Sequence, residues 1–238
     1  MVAQTVAELR LNLRNGEQLL LTLGIPVLLL TFFSQVEVLP LPDGVDEPID
    51  FLAPGVLALA VLSTAFTGLA IATGFDRQYG VLKRLGATPL GRPRLLAAKT
   101  ATVVAIELAQ LAVLVPVALL LGWEPSISPL PVLGAVVLAT VAFAGVAMLM
   151  AGTLPGLVVL AAANGIYVVL LLFGDLVIPL EELPGALRAI AELLPTAAFA
   201  EILRAGFGDG EASGRAWLVL GGWAVAAPAV AARTFRWE

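Results

Sequence analysis

The chain of 238 residues contains no cysteine and no histidine, and only 13% of its residues are charged. Without cysteine there is no disulfide framework, and without either residue there are no thiol or imidazole ligands for a zinc site. Zinc proteolysis and cysteine–histidine catalysis are therefore excluded. A soluble domain carries about 25% charged residues, whereas 60% of this chain is hydrophobic. The composition predicts an integral membrane protein.

Apolar stretches that could cross a bilayer recur along the whole sequence. A membrane helix needs about 20 mostly apolar residues at ~1.5 Å rise per residue. The runs of Leu, Ala and Val lack the strict alternation of membrane β-strands. We therefore predict an all-α membrane protein with a single transmembrane domain over residues 1–238. Its six predicted spans are 18–35, 51–74, 95–121, 130–151, 155–173 and 216–232.

The cations are concentrated before the first span, between the second and third spans, and at the C-terminus. An even number of spans puts these three places on one side, and the positive-inside rule makes that side cytoplasmic. We therefore expect a multi-pass protein of the cell (inner or plasma) membrane with both termini in the cytoplasm. Ten of the 13 cations lie in these places, and they are Arg10, Arg14, Arg77, Lys83, Arg84, Arg92, Arg94, Lys99, Arg233 and Arg236.

Two regions outside the spans have helical patterns. Apolar residues recur every three or four positions from Val2 to Leu13, which predicts an amphipathic elbow helix along the inner membrane surface. In the long outer connection, 175–214, Pro184 and Pro195 are each placed to start a short helix. We expect these two short outer helices to be re-entrant or interfacial and to cap the outer mouth of the protein.

The segment 75–89 is a strongly cationic, amphipathic stretch between two apolar runs. Asp76 is placed to be the N-cap or a first-turn acid of a short helix. The helix either packs its apolar stripe into a groove on a soluble partner or rests on the anionic inner leaflet. At intervals of four, three and three positions, the stripe is formed by Phe75, Tyr79, Leu82 and Leu85.

Polar residues inside the predicted spans are few. Glu107 is an intramembrane carboxylate with Gln110 on the same helix face. Such a group either serves transport or coupling, or forms a buried hydrogen bond that locks helices together. The remaining polar or aromatic candidates either line a path or pack between helices, and they are Thr64, Phe66, Thr67, Asn164 and Tyr167.

Several stretches resemble the permease subunit of the type-2 ABC exporter family, and the likeness covers nearly the full length. The sequence Asp76-Arg77-Gln78-Tyr79-Gly80-Val81-Leu82-Lys83-Arg84-Leu85, followed by Pro89, resembles the most recognisable signature of that family. Further likeness lies in 15–33, in 50–55, and in Gly174, Pro179, Leu183-Pro184, Leu194-Pro195-Thr196 and Leu203-Arg204. Within the signature, Gln78 stands where a second acid is common and Val81 where Thr is common.

The resemblance implies ATP-driven export by a homo- or heterodimer of permease subunits with two ABC ATPase subunits. It implies that spans two and five line the path and that the signature helix contacts the ATPase. The ATPase-coupling residues would be Asp76, Arg77, Tyr79, Leu82, Lys83, Arg84 and Leu85. The chain has no phosphate-binding loop, because Lys99-Thr100 follows Ala97-Ala98 rather than glycine. ATP and Mg²⁺ are thus expected on the partner, and this chain is not expected to be an enzyme.

Aromatic residues make up only 7% of the chain, which is sparse for a path that would stack sugar rings. The composition therefore favours an amphipathic small molecule or a lipid as the substrate, as in drug or lipid efflux. Membrane lipid is an expected partner and nucleic acid is not. The alternative is an ATP-independent membrane carrier or an assembly factor, although the chain has neither an internal repeat nor several intramembrane charges.

Overall fold

The computed structural model describes residues 23–34, 47–86, 92–208 and 210–235, the side chains of 85–86 and 92–97 excepted. These residues form helices joined by short connections, and no strand occurs among them. The helices are α1 (Ile25–Phe33), α2 (Pro48–Gln78), α3 (Val81–Gly86), α4 (Arg92–Leu120), α5 (Pro129–Thr153), α6 (Gly156–Phe173), α7 (Gly185–Ala191), α8 (Pro195–Phe207) and α9 (Gly214–Thr234).

Five of these helices are long and apolar enough to cross a membrane, which confirms the all-α membrane class. They are α2, the Ala98–Leu120 part of α4, α5, α6 and α9. Each matches one predicted span to within a few residues. The other predicted span, 18–35, lies only partly within the described residues, where it contains α1. The predicted elbow helix from Val2 to Leu13 lies outside them.

Helix α2 is the central element of the bundle. In its most apolar window, 72% of the residues are buried, compared with 17% for α6. It packs against α1, α4, α5, α6 and α8. A π-helical segment, Ser63–Gly68, lies in its middle, and the helix then continues beyond the predicted span 51–74 as far as Gln78.

Helices α5 and α9 pack closely along each other because small residues line their contact. A Cβ atom added to Gly145 would lie 2.6 Å from Cδ of Pro228 on α9, so only glycine fits at this crossing. Ala142 and Ala227 are also buried. Membrane helices that meet through small residues gain van der Waals contact between their backbones.

The bundle has two ends, which we name by the short helices they carry. The α3 end carries α3 and the turn between α5 and α6. The α8 end carries the connection between α4 and α5, together with α7 and α8. There, the backbone amides of Ser126 and Ser128 donate to the carbonyls of Phe207 and Gly206 at 2.8 and 2.7 Å.

The predicted helix starts at Pro184 and Pro195 are confirmed. Pro184 directly precedes α7, and Pro195 is the first residue of α8, where a proline loses no intrahelical hydrogen bond. The two helices differ in environment. Most of α8 is buried against α2, α5 and α9, whereas Ala191 is the buried residue of α7.

Candidate functional site at the α3 end

The signature segment forms parts of two helices rather than one. Phe75, Asp76 and Arg77 belong to the last turn of α2, and α3 begins at Val81. Gly80 separates the helices with φ of 68°, a left-handed conformation that glycine adopts without steric cost. The expectation that Asp76 lies at the start of a separate helix, as its N-cap or in its first turn, is therefore wrong, because the second span extends through it.

Asp76 joins α2 to α4. The Lys99 Nζ lies 2.7 Å from Asp76 Oδ2, and the Lys99 side chain is only 6% exposed. A buried ammonium group needs a charged or hydrogen-bonding partner, because desolvation of an unpaired charge is costly. The ion pair therefore fixes the end of α2 against the start of the Ala98–Leu120 span.

Arg77 joins α2 to the end of α5. Its Nη1 donates to the carbonyl of Ala151 at 2.7 Å and to that of Leu154 at 3.4 Å. The last carbonyls of a helix lack intrahelical donors, and the C-terminal end of the helix dipole attracts a cation. Arg77 thus caps α5 at the turn into α6.

The predicted apolar stripe divides at the break between the helices. Leu82 is 1% exposed and packs within this chain, whereas Tyr79 is 65% exposed and stacks on Phe75 with ring centroids 5.9 Å apart. The prediction of one continuous stripe is therefore wrong, because Gly80 turns α3 relative to α2. The side chain of Leu85 lies outside the described part of the chain.

Two cations lie on the exposed side of α3. Lys83 and Arg84 are both exposed, and Arg84 Nη2 donates to the carbonyl of Tyr79 at 3.1 Å. Arg84 therefore holds α3 against the end of α2. Together with Tyr79, these residues present an aromatic ring and two positive charges, which we name the α3 surface (Tyr79, Lys83 and Arg84).

Within the bundle, buried hydrogen bonds join side chains of α4 to α5 and to α2. The Thr140 hydroxyl on α5 lies 2.9 and 3.1 Å from the two Glu107 carboxyl oxygens. The Thr64 hydroxyl, in the π-helical segment of α2, donates to Gln110 Oε1 at 2.9 Å. Since Glu107 and Gln110 are 2% and 1% exposed, this geometry matches a hydrogen bond that locks helices together.

The structure does not gather the candidate path residues in one environment. Phe66 is buried with Thr64 in the core, whereas Thr67 and Tyr167 are half-buried. Asn164 is exposed on α6, and its Nδ2 donates to the carbonyl of Leu160 at 2.8 Å. The exposed face of α6 is otherwise apolar, so Asn164 is a polar group on a face that no described helix covers. A role in a path stays a prediction for these residues.

The ion pair between Arg204 and Asp175 at the α8 end was not predicted from the sequence. Arg204 Nη2 on α8 lies 2.8 Å from Asp175 Oδ2, and its guanidinium carbon lies 4.5 Å from the centre of the Phe51 ring. Burial raises the pKa of the Asp175 carboxyl, and Arg204 opposes that shift. The stretch of likeness to the exporter family contained Arg204, but no periodicity connects it to a partner 29 positions away.

These observations define a multi-pass helical membrane protein whose signature segment forms a joint between helices at one end. Residues 2–207 match the family model described as ABC-2 type transporter. The chain therefore belongs to this family, as its transmembrane component rather than its ATP-binding part. Comparison with curated protein sequences gives no significant match.

Proposed function

We propose that this chain is the permease of an ATP-driven exporter that moves an amphipathic small molecule or a lipid. A separate ABC ATPase subunit binds ATP and Mg²⁺ and docks at the α3 end. The observation that carries the proposal is the α3 surface, since it exposes Tyr79 and two cations beside the joint of α2, α4 and α5 in a chain of this family.

The α3 surface is suited to a soluble partner. An exposed tyrosine offers a large apolar area with a polar tip, a combination that is enriched at protein interfaces. The flanking Lys83 and Arg84 favour a partner with acidic groups. A docked ATPase subunit would contact Tyr79, while Leu82 anchors α3 to the permease itself.

The second part of the proposal is a dimer of permease subunits, homomeric or heteromeric, around a central path. Support comes from α6, whose most apolar window is only 17% buried and whose exposed face places Asn164 among Leu157, Ala161 and Val168. A polar amide on an otherwise apolar span is costly toward lipid. We therefore place this face toward a second subunit and the path.

The proposed location is the cell membrane, with the α3 end and both termini in the cytoplasm. Because the chain lacks cysteine, single cysteines at Thr153 and Glu124 report the two ends without background. Both positions are exposed. We expect a membrane-impermeant maleimide to label position 124 from outside intact cells and position 153 only after permeabilisation. The reverse pattern would contradict the orientation.

Transport itself is tested with the tagged chain and the ATPase subunit that co-purifies with it. In proteoliposomes, we expect ATP to drive movement of ethidium or of an NBD-labelled phospholipid, and vanadate to stop it. Movement of ethidium would indicate a drug-like substrate, and movement of the phospholipid would indicate a lipid substrate. If the probe moves equally fast with and without ATP, the result would instead favour the ATP-independent carrier.

A further inference from the structure

Consecutive residues at the end of α2 reach two different helices. Asp76 contacts Lys99 on α4 at 2.7 Å, and Arg77 donates to the carbonyls of Ala151 and Leu154 at the end of α5. Successive side chains on an α-helix diverge by about 100°, because the helix has about 3.6 residues per turn. The pair therefore links one helix end to two neighbours.

Helix α3 is joined to the same end of α2 by a short connection. Only Tyr79 and Gly80 separate α2 from α3, and each residue spans at most about 3.6 Å of extended chain. Leu82 is buried, and Arg84 bonds back to the Tyr79 carbonyl. A displacement of α3 therefore moves the end of α2.

We propose that Asp76 and Arg77 are positioning residues that pass displacement of α3 to α4 and to the turn between α5 and α6. On this view, they act inside the permease and do not bind the ATPase subunit, which instead contacts the α3 surface. This inference rests on the proposed function, because the displacement originates in ATP hydrolysis by the partner.

Displacement of Arg77 should affect more of the bundle than displacement of Asp76. Helix α5 packs against α2, α8 and α9, so movement of its end is communicated to much of the bundle. A planar guanidinium presents several donors in a fixed arrangement, whereas a lysine ammonium is a flexible point charge. The conservative Arg77→Lys variant should therefore restore only part of the coupling that Arg77→Gln loses.

The decisive test is a charge exchange between Asp76 and Lys99 in the complete permease–ATPase complex. We expect Asp76→Lys and Lys99→Asp each to retain the ATPase subunit but to lower the movement of ethidium or NBD-phospholipid per ATP hydrolysed about fivefold or more. The double exchange should recover most of the parent ratio. Arg77→Gln should show the same loss, and Arg77→Lys a smaller one.

Each alternative gives a different result. If Asp76 bound the ATPase subunit, Asp76→Lys would release that subunit and the double exchange would not recover it. A structural role alone would lower the unfolding temperature, and it would lower ATP hydrolysis and probe movement equally. The amount of probe moved per ATP hydrolysed would then stay the same. Unchanged ratios in all variants would also overturn the inference. If the parent holds no ATPase subunit, the proposed function itself fails.

Arg188→Gln at the α8 end, an exposed arginine in an ion pair, is the control and should behave as the parent.

Discussion

Leu82 and Tyr79 are three positions apart in the chain, yet Leu82 is 1% exposed and Tyr79 is 65% exposed. Residues at this spacing share a face on one continuous helix. Here the left-handed Gly80 lies between them, so the two side chains have separate roles. Leu82 anchors α3 to the bundle, while Tyr79 remains available to another molecule.

Replacing Leu82 with Ala should destabilise the permease. Removal of a buried leucine side chain costs about 2–5 kcal/mol, through lost burial and the cavity left behind. The matched change Tyr79→Ala should cost less, about 0.5–1.5 kcal/mol, because the ring is mostly exposed and loses mainly its stacking on Phe75. Thermal unfolding of the purified chain in detergent measures both. Equal losses of stability would show that the two residues are not divided in this way.

Glu107 should tolerate an amide better than an alkyl group. In Glu107→Gln the side-chain oxygen can still accept a hydrogen bond from Thr140, so the unfolding temperature should stay near that of the parent. In Glu107→Leu the Thr140 hydroxyl loses this acceptor in a buried site, at a cost of about 1–3 kcal/mol.

The Glu107→Gln variant also tests whether Glu107 serves only to lock helices together or takes part in transport. If Glu107 only locks helices, ATP-driven movement of the probe by Glu107→Gln should follow the parent at every pH at which the complex is stable. A changed pH dependence in this variant would assign the carboxyl group to transport instead.

Arg204 and Asp175 should be energetically coupled. Removing one partner of a largely buried ion pair costs about 3–5 kcal/mol, because the other charge is left uncompensated. Asp175→Asn keeps a residue that tolerates the φ of 60° found there, so it tests the charge rather than the backbone. With Arg204→Gln it completes a double-mutant cycle in unfolding free energy, and the double variant should lose less than the sum of the single losses. Additive losses would mean that the pair contributes no coupling.

The sequence was sufficient for the helices but not for their side-chain partners. Hydrophobic length located five spans to within a few residues, and proline placement located the starts of α7 and α8. Pairings such as Asp76–Lys99 and Arg77–Ala151 join positions 23 and 74 apart. They depend on how helices pack, which periodicity does not encode.

The signature segment illustrates the same limit. Its spacing is compatible with one amphipathic helix, and a glycine inside a helical pattern is often tolerated at a cost of about 1 kcal/mol. The structure instead uses Gly80 to end one helix and turn toward the next. Tertiary contacts of Asp76, Arg77 and Leu82 therefore decide the outcome.

The most direct test of the account is the amount of ATPase subunit that purifies with the tagged permease when a charge is placed on the α3 surface. Tyr79→Asp is compared with Ile127→Asp, an equally drastic change at a residue that is 56% exposed at the α8 end. Burying an unpaired carboxylate in a protein contact is strongly unfavourable. We predict that Tyr79→Asp loses most of the ATPase subunit, whereas Ile127→Asp retains it at the parent level. Retention at the parent level in both variants would contradict the assignment of the α3 surface as the ATPase contact.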